Sequence, residues 1–279
     1  MRMKTNILTY AVVAGLGCVA AAGLSPCGEQ DGSPGEAPTI EEARIYNEAF
    51  GWVKKAEAMM GTPGENSEEQ AGYYLKATQI KPDFIEAHYN LGLIYANQNK
   101  MAEAARAFER VLQIDPEFEG VHFLLAAAHR ESGNSSKAMD ALEAGLQRKP
   151  GDRTMRKALA TLQIEAGMDD AAIGNLQTLV REDPEDISSH MDLALLYQRN
   201  QQMEKSAEHY TIVSSADPDN YAAIYNHALI HMGRGELDQA VQKLERADQL
   251  HPGNSELLER LGDAYAGQQL LEKAVVAYG

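Results

Sequence analysis

The sequence predicts an all-α solenoid of antiparallel helix hairpins, and three observations predict it. Pro82, Pro116, Pro150, Pro184, Pro218 and Pro252 recur at a constant 34-residue spacing, while every other proline precedes residue 64. Set in register on that lattice, a large residue stands beside a small one at Leu91-Gly92, Leu125-Ala126, Leu159-Ala160, Leu193-Ala194, His227-Ala228 and Leu261-Gly262. A second small column, Ala104, Ala138, Ala172, Ser206, Ala240 and Ala274, is followed four places later by Phe108, Leu142, Leu176, Tyr210, Leu244 and Tyr278. Offsets of three and four are helical, so each half-unit is an amphipathic helix whose stripe faces a partner. A unit that cannot bury its apolar face alone must stack on its neighbours, which makes a fixed period of this length a repeat array.

The N-terminus has a different character. Arg2 and Lys4 precede an apolar run from Ile7 to Ala22, so residues 1–27 read as an export signal and residues 28–38, rich in Gly and Pro, as a flexible linker. An uncleaved membrane helix is the alternative, although Thr9 and several glycines interrupt the run and it is short for a span. Residues 39–84 read as a divergent first hairpin. Thr39 to Glu42 and Ser67 to Gln70 have capping-box spacing, Gly61-Thr62-Pro63-Gly64 breaks the chain between two helices, and Tyr74 and Ala77 fall on the repeat columns.

Five full units follow at 85–118, 119–152, 153–186, 187–220 and 221–254, and an incomplete one at 255–279. Asp152, Asp186, Asn220 and Asn254 stand two residues after a lattice proline, where a short polar side chain accepts the unpaired N–H groups of the next helix. Gly133, Gly167 and Gly235 fall in the turn within a hairpin, where positive φ costs glycine little. In the last unit Leu270, Leu271, Val275, Val276 and Tyr278 outnumber what one inner face needs. Downstream sequence, a partner or self-association through this C-terminal hairpin is expected to cover them.

The order Leu91, Gly92, Tyr95, Ala104, Phe108, Pro116 resembles the tetratricopeptide repeat. Two departures are His88, His122 and His190 where that family prefers Trp, and Gln163 in the tyrosine column. The resemblance implies a right-handed superhelical solenoid and a concave groove lined by the first helix of each hairpin. It places Tyr89, Leu93, Phe123, Met191, Leu195, Tyr225 and Leu229 in that groove, with Asn90 and Asn226 matching asparagines that bond a ligand backbone in relatives. These residues either receive an extended or helical peptide or pack on adjacent helices. Leu24-Ser25-Pro26-Cys27 resembles the bacterial lipobox with Pro26 in place of a small residue, which implies lipid on Cys27. Cleavage after Ala22 is the competing outcome, and either leaves no second thiol for an intramolecular disulfide.

Charge narrows the partners. The 279-residue chain carries a net −16, a surface that repels nucleic acid and anionic headgroups, so membrane contact is expected only through the N-terminus. Arg148, Lys149, Arg153, Arg156 and Lys157 are the local exception, read either as a solvated turn or as an anchor for an acidic stretch of a partner. No cofactor, metal or catalytic set is expected. Gly61-Thr62-Pro63-Gly64 lacks the Lys-Ser/Thr of a phosphate loop, and His227 and His231, though one helical turn apart, occupy core columns. The acidic run Glu182-Asp183-Pro184-Glu185-Asp186 reads as an inter-unit turn with an N-cap. The sequence therefore predicts a non-catalytic scaffold, exported and periplasmic or lipid-anchored in a bacterial envelope, that binds peptide segments of other proteins. The alternative is the docking half of an enzyme whose catalytic domain lies beyond residue 279.

Overall fold

The computed structural model describes residues 38–279, which form fourteen helices and no strands, divided into two compact units that meet between Met155 and Arg156 in sequence. The first unit holds α1 (Ile40–Glu57), α2 (Glu68–Ile80), α3 (Ile85–Asn97), α4 (Met101–Ile114), α5 (Val121–Glu131) and α6 (Ser135–Arg148). The boundary falls inside α7 (Arg153–Glu165). The second unit continues through α8 (Asp169–Glu182), α9 (Ile187–Arg199), α10 (Met203–Ala216), α11 (Tyr221–Gly233), α12 (Leu237–Leu250), α13 (Ser255–Gly267) and α14 (Leu271–Tyr278).

Helix starts follow local chemistry. Thr39 Oγ1 accepts the Glu42 N–H at 3.2 Å while Glu42 Oε2 accepts the Thr39 N–H at 2.7 Å, a complete capping box. Ser67 caps α2 through the Gln70 N–H, but the reciprocal half is shifted by one residue. Gln70 instead accepts the Asn66 N–H at 2.7 Å and donates to the buried Ala56 carbonyl at 2.9 Å, which ties α1 to α2. Asp152, Asp186, Asn220 and Asn254 each accept the N–H three residues on, at 2.8 to 3.1 Å.

The turn inside each hairpin after the first is one device used six times. The N–H of Lys100, Asn134, Met168, Gln202, Glu236 and Leu270 donates to the carbonyl five residues back, at 2.8 to 2.9 Å. That is the six-to-one closure of a helix C-terminus, and it needs a left-handed residue one place earlier. Gly133, Gly167 and Gly235 supply it at φ between +73° and +82°; Asn99, Gln201 and Gln269 supply it at +59° to +64° against their own preference.

Large and small columns interlock. A Cβ on Gly92 would lie 2.5 Å from Phe108 Cε1, and one on Gly262 would lie 2.5 Å from Tyr278 Cε1. The aromatic ring occupies the volume that a side chain would take, which is why glycine stands opposite it. In the second unit Ser206, fully buried in the small column, donates to the Ala194 carbonyl at 2.8 Å and so satisfies its hydroxyl across the hairpin. The histidines in the Trp column also have a structural use. His88 Nε2 and His190 Nε2 bond the carbonyls of Pro82 and Pro184 at 3.0 and 3.1 Å, so each seals the turn that precedes its own helix.

Candidate functional site

The first-helix faces of the two units carry the residues expected to meet a peptide. In the first unit Asn90, Leu93 and Phe123 are half-buried. Tyr89 is not on that surface. It is 3% exposed, with its ring 5.4 Å from Phe118 and 6.2 Å from Phe108, and so supports the face from beneath. Phe123 lines a cleft of about 340 Å³ together with Phe118, His122, Met155, Arg148 and Lys149. The structure thereby joins one hydrophobic anchor to two of the basic residues, a juxtaposition that spacing alone did not indicate. Burial holds His122 below the usual imidazole range.

The basic residues do not form a bare positive patch. Arg148 pairs with Glu117, and Lys149 Nζ lies 3.0 Å from Glu119. In the second unit Arg156 donates to Asn175 at 3.3 Å, and Lys157 Nζ donates to Asp192 at 2.6 Å and to Ser189 Oγ at 3.2 Å. An acidic ligand would have to displace carboxylates already in place, and exposed pairs of this kind gain little from exchange.

In the second unit Met191, Tyr225, Asn226 and Leu229 are half-buried and Leu195 is 43% exposed. Leu195 stands out because the neighbouring positions Leu193, Ala194, Leu196 and Tyr197 already supply the core. Tyr225 stacks on Tyr221 at 5.7 Å and donates to Glu256 at 3.1 Å; burial, then that carboxylate, pushes its phenol up. Asn226 lies beside the Tyr210 hydroxyl, which donates to Gln198 at 2.8 Å and is pushed up to about 12 by burial.

Polar pairs also join successive hairpins. His129 Nε2 sits 3.2 Å from Glu109, Gln177 donates to the Tyr197 hydroxyl at 2.7 Å, and Tyr265 donates to Glu245 at 2.5 Å. The signal was present as a second recurrent column, Glu109, Glu143, Gln177 and Glu245, on the 34-residue lattice. His190 Nδ1 and His209 Nδ1 are in hydrogen-bond contact at 2.8 Å, and His190 Nε2 donates to the Pro184 carbonyl at 3.1 Å. His227 and His231 stack at 4.5 Å, His231 bonds Glu236 at 2.5 Å, and His227 Nδ1 is buried without a hydrogen-bond partner among the described residues. No three His, Cys, Asp or Glu side chains among the described residues converge as a metal set. The acidic run is used locally, with Asp183 accepting the Glu185 N–H and Asp186 capping α9. Cys27 and the rest of residues 1–37 lie outside the described residues, and no described helix is long and apolar enough to cross a membrane.

Models of the tetratricopeptide repeat match residues 73–99, 98–162, 191–255 and 225–279, which together cover more than half of the sequence. The chain belongs to the tetratricopeptide repeat family. Solved structures agree at the level of fold. The crystal structure of YrrB, a TPR protein with an unusual peptide-binding site, superimposes with a TM-score of 0.56 at 16% identity, covering 71% of this chain and 99% of YrrB. MamA gives 0.53 at 20%, covering 57% and 86%. A tetratricopeptide repeat protein from Parabacteroides merdae gives 0.53 at 16%, covering 84% and 91%. No curated protein matches the chain. Tetratricopeptide proteins are generally non-catalytic scaffolds.

Proposed function

We propose that this tetratricopeptide protein is an interaction scaffold that holds peptide segments of other proteins against the first-helix faces of its hairpins. The observation that carries the reading is Leu195, a leucine 43% exposed on a helix whose core positions are already filled, with Met191 one turn before it. Leu93, Phe123 and Leu229 occupy corresponding faces and are half-buried rather than sealed. Such side chains gain affinity by completing their burial under a ligand, and half-buried Asn90 and Asn226 can bond its backbone. YrrB supports peptide binding by analogy of fold. The anchors are hydrophobic, so the expected ligands are apolar or amphipathic segments rather than acidic ones.

A photo-crosslinking residue at position 195 tests this, with the same residue at Arg181 on the exposed side of α8 as reference. Capture of a peptide segment at 195 but not at 181, and roughly tenfold weaker binding of that segment by Leu195→Ala, supports the reading. Equal capture at both positions places the interface elsewhere.

The envelope setting belongs to the same proposal. Residues 1–27 direct export, Cys27 carries lipid, and the scaffold works at a bacterial membrane or in the periplasm. Labelling with a palmitate analogue that disappears in Cys27→Ala supports this; an unlabelled mature chain beginning near Gly23 refutes lipidation. The C-terminal hairpin self-associates. Leu271, Val275, Val276 and Tyr278 are all more than half exposed there, an apolar patch that a second copy would cover.

A further inference from the structure

We infer that the solvent side of the first hairpin is a second binding surface, selective for an acidic peptide segment and centred on Trp52. Two short stretches on facing helices repeat one arrangement. Gly51-Trp52-Val53-Lys54-Lys55 in α1 and Gly72-Tyr73-Tyr74-Leu75-Lys76 in α2 each run glycine, aromatic, buried residue, then lysine at the fifth place. The Trp52 and Tyr73 rings stack at 5.8 Å, and the ammonium groups of Lys55 and Lys76 lie 3.9 and 4.3 Å from the Trp52 centroid. Lys54 stands 5.0 Å from the Phe50 ring. Among the described residues none of these three lysines is in an ion pair, whereas the basic residues near Pro150 are already engaged.

Two like charges on one ring repel each other, and the ring quadrupole offsets only part of that. An anionic group between them would complete the arrangement. The glycines are a second and independent observation. Both lie in helix interiors, where glycine is a poor choice, and a Cβ at either position would meet nothing within 4 Å. Neither is needed for packing against the described residues. What they leave is bare helix backbone beside each aromatic, which lets another backbone approach closely.

Surrounding charge decides the shape of the ligand. Glu48, Glu57, Glu65, Glu68 and Glu69 lie on the same hairpin. A broad anionic surface, such as a bilayer, would bring its own charge against these carboxylates. A single extended strand can place one or two carboxylates on Lys55 and Lys76 without doing so. The occupant is therefore an acidic peptide segment, distinct in chemistry from the apolar segments expected on the first-helix faces.

Trp52 is the chain's only tryptophan, so its emission reports this surface alone. Titrating the full chain with octaglutamate at low salt should give a saturable emission change, with octalysine giving none. Lys55→Glu/Lys76→Glu, with an unchanged circular dichroism spectrum, should bind at least tenfold more weakly. Gly72→Leu, which fills the bared strip, should keep the fold and weaken binding at least threefold. No response to millimolar octaglutamate, or an equal response in the folded double variant or in Gly72→Leu, overturns the inference. A response to anionic phosphatidylglycerol vesicles in place of octaglutamate also overturns it, in favour of a lipid surface.

Discussion

Gly92→Ala should destabilise the first unit even though alanine is the better helix former. In a helix interior the exchange gains about 1 kcal/mol from propensity. Here the new methyl would sit 2.5 to 2.9 Å from three atoms of the Phe108 ring, which is fully buried. Overpacking of this kind costs about 1 to 3 kcal/mol, so the net loss is up to about 2 kcal/mol. Phe108→Leu alone leaves a partial cavity and costs about 1 kcal/mol or more. Combined, the two changes reproduce the pairing found in the same columns at Ala126 and Leu142, Ala160 and Leu176, and Ala228 and Leu244. The double variant should therefore recover most of the loss, with a coupling of about 1 to 2 kcal/mol. Gly174→Ala is the control, because a Cβ there meets nothing within 4 Å and only the propensity gain remains. The assay is urea unfolding followed by circular dichroism, with amide exchange in α3 and α4 to localise the effect. A Gly92→Ala protein at least as stable as wild type, or strictly additive single changes, would refute the interlock.

Acid should weaken the second unit. His209 is held down to about 4 by burial and by His190, and His227 down to about 4 by burial, then Lys243, His231 and Arg234. Both take up a proton near pH 6.5 when unfolded, so stability is full above about 6.5 and falls as pH descends towards 4; melts at pH 7.5 and 4.5 should show this, and His227→Leu, the residue found at Leu193 and Leu261, should flatten the dependence. Asp186→Ala should cost about 1 kcal/mol through loss of the α9 cap, read by urea unfolding. Gln201→Gly should stabilise by up to about 1 kcal/mol by relieving a left-handed residue at φ +59°, while Gly133→Ala should do the reverse. If the C-terminal hairpin self-associates, the sedimentation coefficient of the full chain should rise with concentration and Val276→Glu should abolish the rise; a strict monomer at all concentrations rejects self-association.

The features most readable from sequence were those with a period. The proline lattice, the small and large columns and the caps at Asp152, Asp186, Asn220 and Asn254 repeat in register, so each instance reinforces the next. The glycines of the hairpin turns were readable for the same reason; Asn99, Gln201 and Gln269 share their column, but their residue types do not announce a positive φ. The binding face was half legible. Position in the unit placed Leu195 and Phe123 on the first helices, yet burial of Tyr89 involves Phe118, which stands in the column that Asp152, Asp186, Asn220 and Asn254 use for capping and so gave no sign of packing. The basic residues looked free because their partners come from the previous turn or the next helix, as with Lys149 and Glu119 or Lys157 and Asp192. The Trp52 surface escaped notice because its two halves are separated by the breaker Gly61-Thr62-Pro63-Gly64 and only the fold sets them side by side.

The six-to-one closures have a mechanical consequence. Each turn is secured by a bond between residues five apart, and the pairs that join hairpins, such as Tyr197 to Gln177 or Lys157 to Asp192, reach only 20 and 35 residues along the chain. Load applied at the two ends of either unit's described residues is thus borne in series, since among them no strand or distant hydrogen-bonded clasp shares it. Hairpins should yield one after another at modest force, each releasing on the order of 110 Å of extended chain. They should re-form as readily, because every bond they need lies within their own or the adjoining turn. A scaffold made this way can lengthen under tension while the hairpins that remain folded keep their shape.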